Sequence, residues 1–565
     1  MEFLDARRLT GPNVVLDGPG GILDVACTPE RAVELIPVWE RHVRHMLHAL
    51  DWDHEPVFAA LPLIGGISLA FPAPIDALYA ASELNEWAYA ACAHELDGAD
   101  EPDFEATVAA LKESIAEEAN PALLRLQADA DLRGVTFLWD DDEASLGLGI
   151  SSRTWPVREL PDPDDLDWSQ FGDVSIGLVT GTNGKTTSVR LAQNIARQTG
   201  LTVGVSSTDW IAVGDRIVDK DDWAGPGGAR AVLREKEVEL AILETARGGL
   251  LRRGLGVDRA AASLITNISE DHIGDFGSRD LHELLHIKWI IGRVVENEGR
   301  LFLNSVDDLL RERARDHSGE IVWFSLDPDN ETVAAHVQAG GTAFVAERDE
   351  ILKIENGARE VICNAIDMPI SMNGVARHNV ANALGAAALA WCMGVSVDDV
   401  RMGLVSMSAE DNPGRCNVWD VGGRKVLVDF AHNHAAMQAL FTMARALPGQ
   451  RRVLCFGHAG DRPDDLLREV ARDAWSIGLD RVIVSELAKY HRGREHGDIF
   501  RVITEELLRI GASEDQIEHN EEEIDSFRSA LDWAEPGDVV IMIALSSRDE
   551  VHDLLEEIGL SLIHI

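Results

Sequence analysis

Cysteine is scarce in this chain, and its spacing excludes the sites that cysteine usually builds. The 565 residues include six cysteines, none of them in a CxxC pair. Cysteines scattered singly form neither a disulfide framework nor a zinc site. We therefore expect small buried thiols in a reducing compartment, the cytoplasm. The six are Cys27, Cys92, Cys363, Cys392, Cys416 and Cys455.

Long apolar runs and targeting signals are also missing. No run approaches the ~20 consecutive apolar residues that a membrane-spanning helix needs. The first residues mix acidic and basic side chains and lack the pattern of a signal peptide, so export is not expected. The hydrophobic content of 45% indicates ordinary globular packing. These features favour a protein that neither enters a membrane nor leaves the cell.

Positive charge is in short supply. Asp and Glu number 97 against 51 for Lys and Arg, which gives a formal net charge of −46. Such a surface repels nucleic acids and anionic membranes, so neither is expected as a partner. Most of the basic residues are arginine. A GC-rich genome would explain the arginines, whereas a salty cytoplasm would explain the acidic surface, and we favour the second interpretation.

Length and pattern divide the chain into parts. A chain this long cannot be built around one core and should form three or four domains. Residues 1–165 contain an amphipathic helix, whose first turn we expect to hold Pro37, and end in an acidic, proline-rich linker. In residues 170–405, apolar strands alternate with helical patterns, which predicts a mostly parallel sheet covered by helices. The alternation restarts in residues 406–565 and predicts a smaller α/β domain there.

The segment 181–187, with the sequence GTNGKTT, is the most informative of the chain. It follows the apolar run 174–179 and precedes a helical pattern. Glycines let the backbone approach an anion, and a helix N-terminus directs free N–H groups at phosphates. Lys185 then reaches the terminal phosphates, and the Thr186 hydroxyl is placed to ligate Mg²⁺. Val179 stands where the common GxxxxGK[ST] motif has its first glycine, and a plain turn is the alternative interpretation.

Polar side chains follow other apolar runs, at the edge where open parallel sheets bind ligands. Glu244 follows the run 241–243, and a carboxylate there suits Mg²⁺, although a helix cap or a solvated loop acid is the alternative. The run 262–265 leads to a polar string that ends in His272, which alone would more often be a turn residue. Lys288 alone would normally lie on the surface.

Two further groups lie later in the chain. Asn379 and Asn382 share one helical face and suit a base or a ribose, or else cap that helix. Arg415 follows a rigid Asn-Pro-Gly turn, and Asp429 opens the string DFAHN. Each feature is weak alone. Their order and their placement after predicted strands are what indicate a nucleotide site.

These motifs occur in the order found in Mur ligases, and the chain resembles most the Mur-ligase half of cyanophycin synthetases. The resemblance covers about residues 170–565. It implies an α/β fold in three domains: an α+β acceptor-binding domain, a central ATPase domain with a parallel sheet and a P-loop, and a Rossmann-like C-terminal domain that closes over ATP. The motifs are the segments 181–187, 244–249, 267–272, 378–382, 412–415 and 429–433, with 460–464 and 492–494 in addition.

The same resemblance implies an ATP- and Mg²⁺-dependent ligase that adds an amino acid or amine to a small-molecule or peptide carboxylate. The N-terminal part is similar to cyanophycin synthetases more faintly, through residues 9–13. Those enzymes carry an ATP-grasp module before the Mur-like half, and residues 1–165 leave no room for it. Cyanophycin synthesis by this chain alone is therefore not expected. His434 stands where the family usually has proline, which bears on the amine site, and a homo-oligomer is compatible with the resemblance.

Roles for the phosphate side follow from the resemblance. Lys185 would contact the β- and γ-phosphates, and Thr186 with Glu244 would hold a first Mg²⁺. His272 and a carbamylated Lys288 would hold a second, because carbamylation turns the lysine into an anionic oxygen ligand. The remaining loop residues assigned to the nucleotide are Gly181, Thr182, Asn183, Gly184 and Thr187.

The resemblance also assigns residues around the rest of the substrates. Asn382 would face the adenine. Arg415 would touch the γ-phosphate and Asp429 the ribose, both arriving when the C-terminal domain closes. Arg247 is a candidate for the acceptor carboxylate, which it would hold as a bidentate pair. The candidates on the amine side are His432 and Asn433.

Two other functions stay open. The chain would serve as a P-loop phosphotransferase if it stopped at the acyl phosphate or transferred to a hydroxyl. It would serve as a non-catalytic nucleotide-binding partner of another ligase if it kept the fold alone. The presence of Lys185, Glu244 and Arg415 argues against the loss of catalysis. Release of ADP and phosphate that requires an amine would separate a ligase from a phosphotransferase.

The excess of acidic residues leads to a prediction about salt. Raising KCl from 0.1 M to 1 M shortens the Debye length from about 10 Å to about 3 Å and screens the repulsion among surface carboxylates. The midpoint of thermal unfolding, followed by circular dichroism, should therefore rise with KCl concentration. A midpoint that stays level or falls over this range would rule out adaptation to a salty cytoplasm.

Overall fold

The computed structural model of the chain describes residues 1–52, 57–270, 280–408, 410–460 and 462–558. Within these ranges, none of the helices has both the length and the apolar character that crossing a bilayer demands. The described strands form sheets of four, eleven, six and three strands. Large parallel sheets with helices between their strands confirm the predicted α/β class. The domain boundaries near 165–170 and 405 stay predictions.

The N-terminal part is a small antiparallel sheet with helices on one face. Its strands pair in the order β1-β2-β4-β3. Leu23, Val25 and Phe71 share a core with Trp39 of the first helix. A second antiparallel sheet has the order β5-β6-β7. The elements are β1 (Glu2–Leu9), β2 (Gly20–Ala26), α1 (Pro29–Ala49), β3 (Ala59–Leu63), β4 (Gly66–Pro72), α2 (Leu78–Asp97), α3 (Phe104–Glu118), α4 (Pro121–Arg133), β5 (Phe137–Trp139), β6 (Glu143–Leu146) and β7 (Arg153–Pro156).

Helix α1 begins earlier than its internal proline indicated. The Thr28 hydroxyl caps the helix by accepting a hydrogen bond from the backbone N–H of Arg31, and Pro29 occupies the first turn. Pro37 lies inside the helix, so the expectation that it marks the first turn is wrong. The combination of a threonine cap with a following proline is the stronger start signal, because it satisfies one free N–H and removes another.

The central part is one mixed sheet of order β11-β10-β9-β12-β8-β13-β14-β15-β16-β17-β18. The seven inner strands run parallel, and a hairpin adds two antiparallel strands at each edge. The elements are β8 (Ser175–Thr180), α5 (Lys185–Arg197), β9 (Val203–Ser206), β10 (Ile211–Val213), β11 (Arg216–Asp219), α6 (Pro226–Arg234), β12 (Leu240–Glu244), α7 (Arg247–Arg252), β13 (Ala260–Ile265), α8 (Leu281–Lys288), α9 (Ile290–Arg293), β14 (Val295–Asn304), α10 (Asp308–Ala314), β15 (Glu320–Ser325), α11 (Glu331–Gln338), β16 (Ala343–Glu347), β17 (Glu350–Glu355), β18 (Ala358–Asn364), α12 (Arg377–Cys392) and α13 (Val397–Ser406).

Helices cover both faces of this sheet, and that is why its strands appear in the sequence as nearly continuous apolar runs. On one face, Val189 of α5 and Leu384 of α12 pack against Leu264 of β13. On the other face, Leu233 of α6 and Leu284 of α8 belong to a separate core. The strands that flank the GTNGKTT loop lie side by side in the order β12-β8-β13, so their carboxyl ends meet at one edge.

The C-terminal part is a six-stranded sheet of order β19-β20-β24-β21-β22-β23. Strand β19 pairs antiparallel with β20, and the remaining pairs are parallel. The elements are β19 (Asn417–Val421), β20 (Arg424–Asp429), α14 (His434–Ala446), β21 (Arg452–Phe456), α15 (Asp464–Trp475), β22 (Arg481–Ser485), α16 (Asp498–Arg509), β23 (Ile517–Asn520), α17 (Glu523–Trp533), β24 (Val539–Ile543) and α18 (Arg548–Glu557).

The segment 9–13 fastens the N-terminal sheet to the central part. The backbone N–H of Thr10 donates to the Arg253 carbonyl at 2.8 Å, and the N–H of Leu255 donates to the Pro12 carbonyl, also at 2.8 Å. A Cβ on Gly11 would lie 2.2 Å from the Leu255 carbonyl oxygen, so only glycine permits this approach of two backbones. The LTGPN string thus marks a junction between two parts of the fold.

A methyl group at Gly11 should loosen this junction. Gly11→Ala forces two backbones apart, and we expect a loss of about 1–3 kcal/mol in the free energy of unfolding, the range for overpacked sites. Urea denaturation measures the loss, and limited proteolysis should show faster cleavage of the N-terminal part. Gly18→Ala is the matched control, because a Cβ there meets nothing within 4 Å. Equal midpoints for the two variants would contradict this account of the junction.

Candidate active site

The loop between β8 and α5 has a backbone that requires two of its glycines. Gly181 has φ = 147° and Gly184, at the N-terminus of α5, has φ = 84°. A Cβ on Gly181 would lie 1.9 Å from the Thr266 hydroxyl oxygen. A Cβ on Gly184 would lie 2.1 Å from Oδ1 of Asn382. Both positions therefore exclude side chains by conformation and by space.

The end of β13 holds this loop in shape. The N–H of Thr182 donates to the Asn267 carbonyl at 2.9 Å, and the N–H of Asn183 donates to Oδ1 of Asn267 at 3.0 Å. The Thr266 hydroxyl and the Asn267 amide both donate to the Asn183 carbonyl, at 2.6 and 2.9 Å. The polar residues after β13 thus fix the conformation of the neighbouring loop through hydrogen bonds.

The first turn of α5 presents groups that suit a polyphosphate. The Lys185 ammonium folds back and donates to the Thr182 carbonyl at 3.0 Å. Thr186 follows it, with only 5% of its surface exposed. Free N–H groups at the start of a helix, a lysine and a hydroxyl are the parts of a phosphate-binding loop. The described geometry is compatible with the roles predicted for this segment.

Glu244 ends β12 and is fully buried, at 0% exposure. Its carboxylate accepts hydrogen bonds from the hydroxyl of Thr208 at 2.7 Å and from the N–H of Thr208 at 3.3 Å. Among the described residues it forms no ion pair closer than 4 Å. The Glu244 carboxylate and the Thr186 hydroxyl line the same cavity, and together they are a donor set that fits Mg²⁺, which prefers carboxylate and hydroxyl oxygens.

Asp222 is a second acid near this point. The residue is exposed at the mouth of the cavity, but desolvation by the surrounding protein raises the pKa of its carboxyl, and the charge of Glu244 acts in the same direction. A hydrogen bond from the N–H of Ala224 and the charge of Lys185 oppose the rise. Two neighbouring carboxylates favour a cation between them.

Lys288 also contacts the loop. It is 3% exposed, and its ammonium donates to the Gly181 carbonyl at 2.7 Å. His272, predicted as its partner, is outside the described residues.

The predicted residues meet in one cleft of ≈ 500 Å³ between the central and C-terminal parts. Among the described residues, seven lysine and arginine side chains line it against two carboxylates, those of Asp222 and Glu244. In a chain of net charge −46, this concentration of cations is exceptional. The predicted residues along the cleft are Thr182, Asn183, Gly184, Lys185, Thr186, Thr187, Glu244, Arg247, Lys288, Arg415 and His432, and the further cations are Arg252, Arg462 and Arg492.

Four of the described predicted residues do not line this cleft: Gly181, at the start of the loop, and Asn382, Asp429 and Asn433. Asn382 is buried under Gly184, and its amide donates to Oδ1 of Asn379 at 3.3 Å. Asp429 accepts from the N–H of Cys416 at 2.7 Å and from its thiol at 3.1 Å. Asn433 donates to Oδ1 of Asn183 at 2.8 Å, which joins the C-terminal part to the loop. Their roles toward a nucleotide stay predictions.

The departure at His434 has a structural explanation. The imidazole Nε2 lies 2.7 Å from the carboxylate of Asp473, and the amide of Gln438 donates to the same oxygen at 3.0 Å. Asp473 belongs to α15, so His434 ties α14 to the neighbouring helix. His434 is not among the residues that line the cleft.

A buried carboxylate that the sequence analysis missed joins the two parts beside the cleft. Asp209, with 3% of its side chain exposed, lies 2.5 Å from a guanidinium nitrogen of Arg190 and 2.5 Å from one of Arg548. Arg415 is 3.7 Å away. Arg190 belongs to α5, whereas Arg415 and Arg548 belong to the C-terminal part. We call these four side chains the interdomain cluster.

Charge and stacking both stabilise this cluster. Burial raises the pKa of Asp209, but Arg415, Arg190 and Arg548 outweigh it, so the net pKa lies below its usual value. The Arg190 guanidinium stacks on Trp210, 4.1 Å from the ring centroid, and Arg415 on Phe430 at 4.7 Å. The sequence did contain one signal for Asp209. The string Ser-Thr-Asp directly follows β9, just as Glu244 stands at the end of the run 241–243.

Neutralising Asp209 should separate the two parts. Asp209→Asn leaves three guanidinium groups without their shared anion, and breaking a buried pair costs about 3–5 kcal/mol. The radius of gyration from small-angle scattering should increase and the unfolding midpoint should fall.

The same carboxylate makes the stability of the wild-type protein depend on pH. Because its pKa is lower in the folded state, its contribution to the free energy of unfolding is complete above about pH 4 and is lost as the pH falls through the folded pKa.

Asp538→Asn is the matched control for this experiment. Asp538 is also a buried carboxylate paired with an arginine, Arg451 at 2.6 Å, but both residues belong to the C-terminal part. We expect it to lower stability without changing the radius of gyration. Equal radii for Asp209→Asn and wild type would show that Asp209 does not hold the parts together.

Comparison with known proteins agrees with this geometry. Residues 179–390 match the model of the Mur ligase middle domain, and residues 414–544 match that of the Mur ligase glutamate ligase domain. Cyanophycin synthetase from Crocosphaera subtropica is 35% identical over 371 residues, which are 65% of this chain and 42% of that protein. The chain thus spans about two fifths of the length of this relative.

The chain is also similar, at lower identity, to a diaminopimelate ligase and to the solved structure of MurF. UDP-N-acetylmuramoyl-L-alanyl-D-glutamate–2,6-diaminopimelate ligase from Clostridium botulinum is 23% identical over 66% of this chain and 72% of that protein. The crystal structure of MurF from Acinetobacter baumannii superposes with a TM-score of 0.49 at 16% identity, over 68% of this chain and 77% of that one. Through its middle and C-terminal domains, the chain belongs to the Mur ligase family.

Proposed function

We propose that this protein is an ATP-dependent ligase that joins a carboxylate to an amino acid or amine and releases ADP and phosphate. The observation that carries the proposal is the cleft, in which seven cations of the described residues, the glycine-containing loop after β8 and the buried Glu244 line one cavity. Cations in this number suit the meeting of two anions, a triphosphate and a carboxylate. Relatives named as ligases in the same family support the same class of reaction.

The chemistry explains the need for ATP. A free carboxylate does not form an amide, because oxide is too poor a leaving group. In the proposed first step, a carboxylate oxygen attacks the γ-phosphorus, and the bond from that phosphorus to ADP breaks. In the second step, the amine nitrogen attacks the carbonyl carbon of the acyl phosphate, the C–O bond to phosphate breaks, and the amine loses a proton to solvent. The products are an amide, ADP and phosphate.

The loop side of the cleft would hold the phosphates. Lys185 would turn from the Thr182 carbonyl to the β- and γ-phosphates. Thr186 and Glu244 would hold Mg²⁺, which neutralises phosphate charge when it is bound. Carbamylation of Lys288, with His272 as a second ligand, is part of the same proposal. Lys288 is already buried against the loop, at 2.7 Å from the Gly181 carbonyl.

The C-terminal side would complete the site on closure. Arg415 lines the cleft and belongs to the interdomain cluster, so its approach to the γ-phosphate would be coupled to the docking of the two parts. Asp429 would meet the ribose and Asn382 the adenine. Closure of this kind would exclude water, which otherwise hydrolyses an acyl phosphate.

The two substrates would enter from opposite sides. Arg247 begins α7 on the central side and would hold the acceptor carboxylate, with residues 1–165 as the acceptor-binding domain. His432 and Asn433 lie on the C-terminal side and would be close to the amine. His432 lines the cleft, and Asn433 already bonds Asn183 of the loop.

Amine-dependent turnover tests this proposal. Purified protein with Mg-ATP, arrayed amino acids and candidate carboxylates should release ADP and phosphate in equal amounts, only when an acid and an amine are both present. Mass spectrometry should find the amide. Lys185→Ala should reduce the rate by 100-fold or more, because positioned phosphate contacts carry this chemistry, and the exposed Lys112→Ala should not. Transfer without an amine would identify a phosphotransferase, and no turnover with any pair would favour a non-catalytic partner.

A further inference from the structure

A second cavity, which we call the interdomain groove, lies between the N-terminal sheet and the central part. It measures ≈ 600 Å³, a volume typical of pockets for small organic ligands. One wall is the sheet face that carries Asp24 and Ser68, opposite the face that packs on α1 and α2. The other wall is formed by α7 and α8, through Leu251 and Ile287.

The interdomain groove and the cationic cleft are neighbouring cavities that share one lining residue. Arg252, at the end of α7, lines both cavities. Helix α8 separates them and contributes to each: Leu284 and Lys288 line the cleft, whereas Glu283 and Ile287 line the groove. A molecule that extends along the groove toward Arg252 would therefore bring one end to the wall of the cleft.

The two cavities differ in charge. In the part of the chain that the structure describes, the cleft is lined by seven cations against two carboxylates, whereas the groove is lined by two arginines and two histidines against three carboxylates. Arg7 lies 2.5 Å from Asp24 and 3.0 Å from Asp5, and it also donates to the Leu251 carbonyl at 3.2 Å. Glu283 accepts from the N–H of Ile64 at 2.6 Å. The groove consequently has no excess of positive charge with which to hold a polyanion.

Apolar side chains cover most of the rest of the groove. Leu61 and Leu63 of β3 face Leu251 and Ile287 across it, and Leu61 also packs against the central core. At one edge, Leu4 keeps 50% of its surface exposed. Exposed apolar surface that continues into a cavity favours a ligand that brings apolar surface of its own.

We propose that the carboxylate substrate has an extended, uncharged and mostly apolar body, such as an acyl or arylalkyl chain, which lies in the interdomain groove. Its carboxylate would reach the cleft past Arg252. A polyaspartate chain or another polyacid would place negative charges beside Asp5, Asp24 and Glu283 and would be rejected. The position of the body follows from the groove alone, and only its activation rests on the proposed ligase function.

Direct binding tests the groove without catalysis. Isothermal titration of the full chain with octanoate and 4-phenylbutyrate, in the presence of Mg²⁺ and a non-hydrolysable ATP analogue, should show saturable binding. A short aspartate oligomer should bind at least tenfold more weakly. In the ligase assay, the two apolar acids should support amine-dependent ADP release, and the oligomer should not.

A substitution that narrows the groove gives a sharper test. Leu61→Trp should weaken octanoate binding at least tenfold and shift the preference toward butyrate, while affinity for the ATP analogue is unchanged. Leu132→Trp is the matched control, because Leu132 belongs to the same N-terminal part but is 84% exposed on α4. A general loss of folding would lower all affinities together and would show in the unfolding midpoint, whereas a change in chain-length preference would not follow from it.

The outcomes separate the two proposals. Binding of octanoate that Leu61→Trp weakens, without ADP release for any amine, would keep the groove assignment and remove the ligase. Ligation of the aspartate oligomer, with no binding of either apolar acid, would overturn the groove assignment and leave the ligase intact. Octanoate affinity that is equal in wild type, Leu61→Trp and Leu132→Trp would also overturn it.

Discussion

The site depends on one constraint: the backbone after β8 must keep a left-handed course at two positions, so that the N–H groups in the first turn of α5 stay available to a ligand. Two glycines permit that course, but they do not enforce it. Enforcement comes from β13, whose Thr266 and Asn267 bond the loop from the side. This support exists because parallel strands adjacent in the sheet end at the same edge. The position of Lys185 and the cleft around it follow from that arrangement.

Charge is sorted within the molecule rather than spread over it. The chain carries a net charge of −46, yet its main cleft is lined by cations. Two of the carboxylates near that cleft are buried and bonded, Glu244 to Thr208 and Asp209 to its arginines. Burying a carboxylate costs free energy unless it is hydrogen-bonded or paired with a cation, so the fold must supply partners at both positions. The acidic surface repels other polyanions, whereas the cations of the cleft suit the proposed triphosphate.

The interdomain cluster links this electrostatic pattern to motion. Arg415 takes part in it and also lines the cleft, so in the proposed reaction a nucleotide phosphate would act on the same guanidinium group as Asp209. A ligand that draws Arg415 toward the loop would act on the contact between the two parts. The acceptor side is built differently. Its groove lies against the N-terminal sheet, where backbone bonds at residues 9–13 and apolar packing join the two parts, together with ion pairs such as that of Arg234 with Asp140.

Local patterns in the sequence determined the loop, the strands around it and the residues at the strand ends. Strands that are buried on both faces appear as continuous apolar runs, and a phosphate-binding loop has its glycines, lysine and threonine close together in the sequence. Glu244 and Arg415 were found in this way. The start of α1 was misjudged at Pro37, because a cap at Thr28 competed with it. The pairing of Asp209 with Arg190 and Arg548, the tie between His434 and Asp473, and the groove beside α8 were decided only by the tertiary structure. These contacts join residues that are far apart in the chain, and no local spacing encodes which distant charges or surfaces will meet when separate sheets pack together.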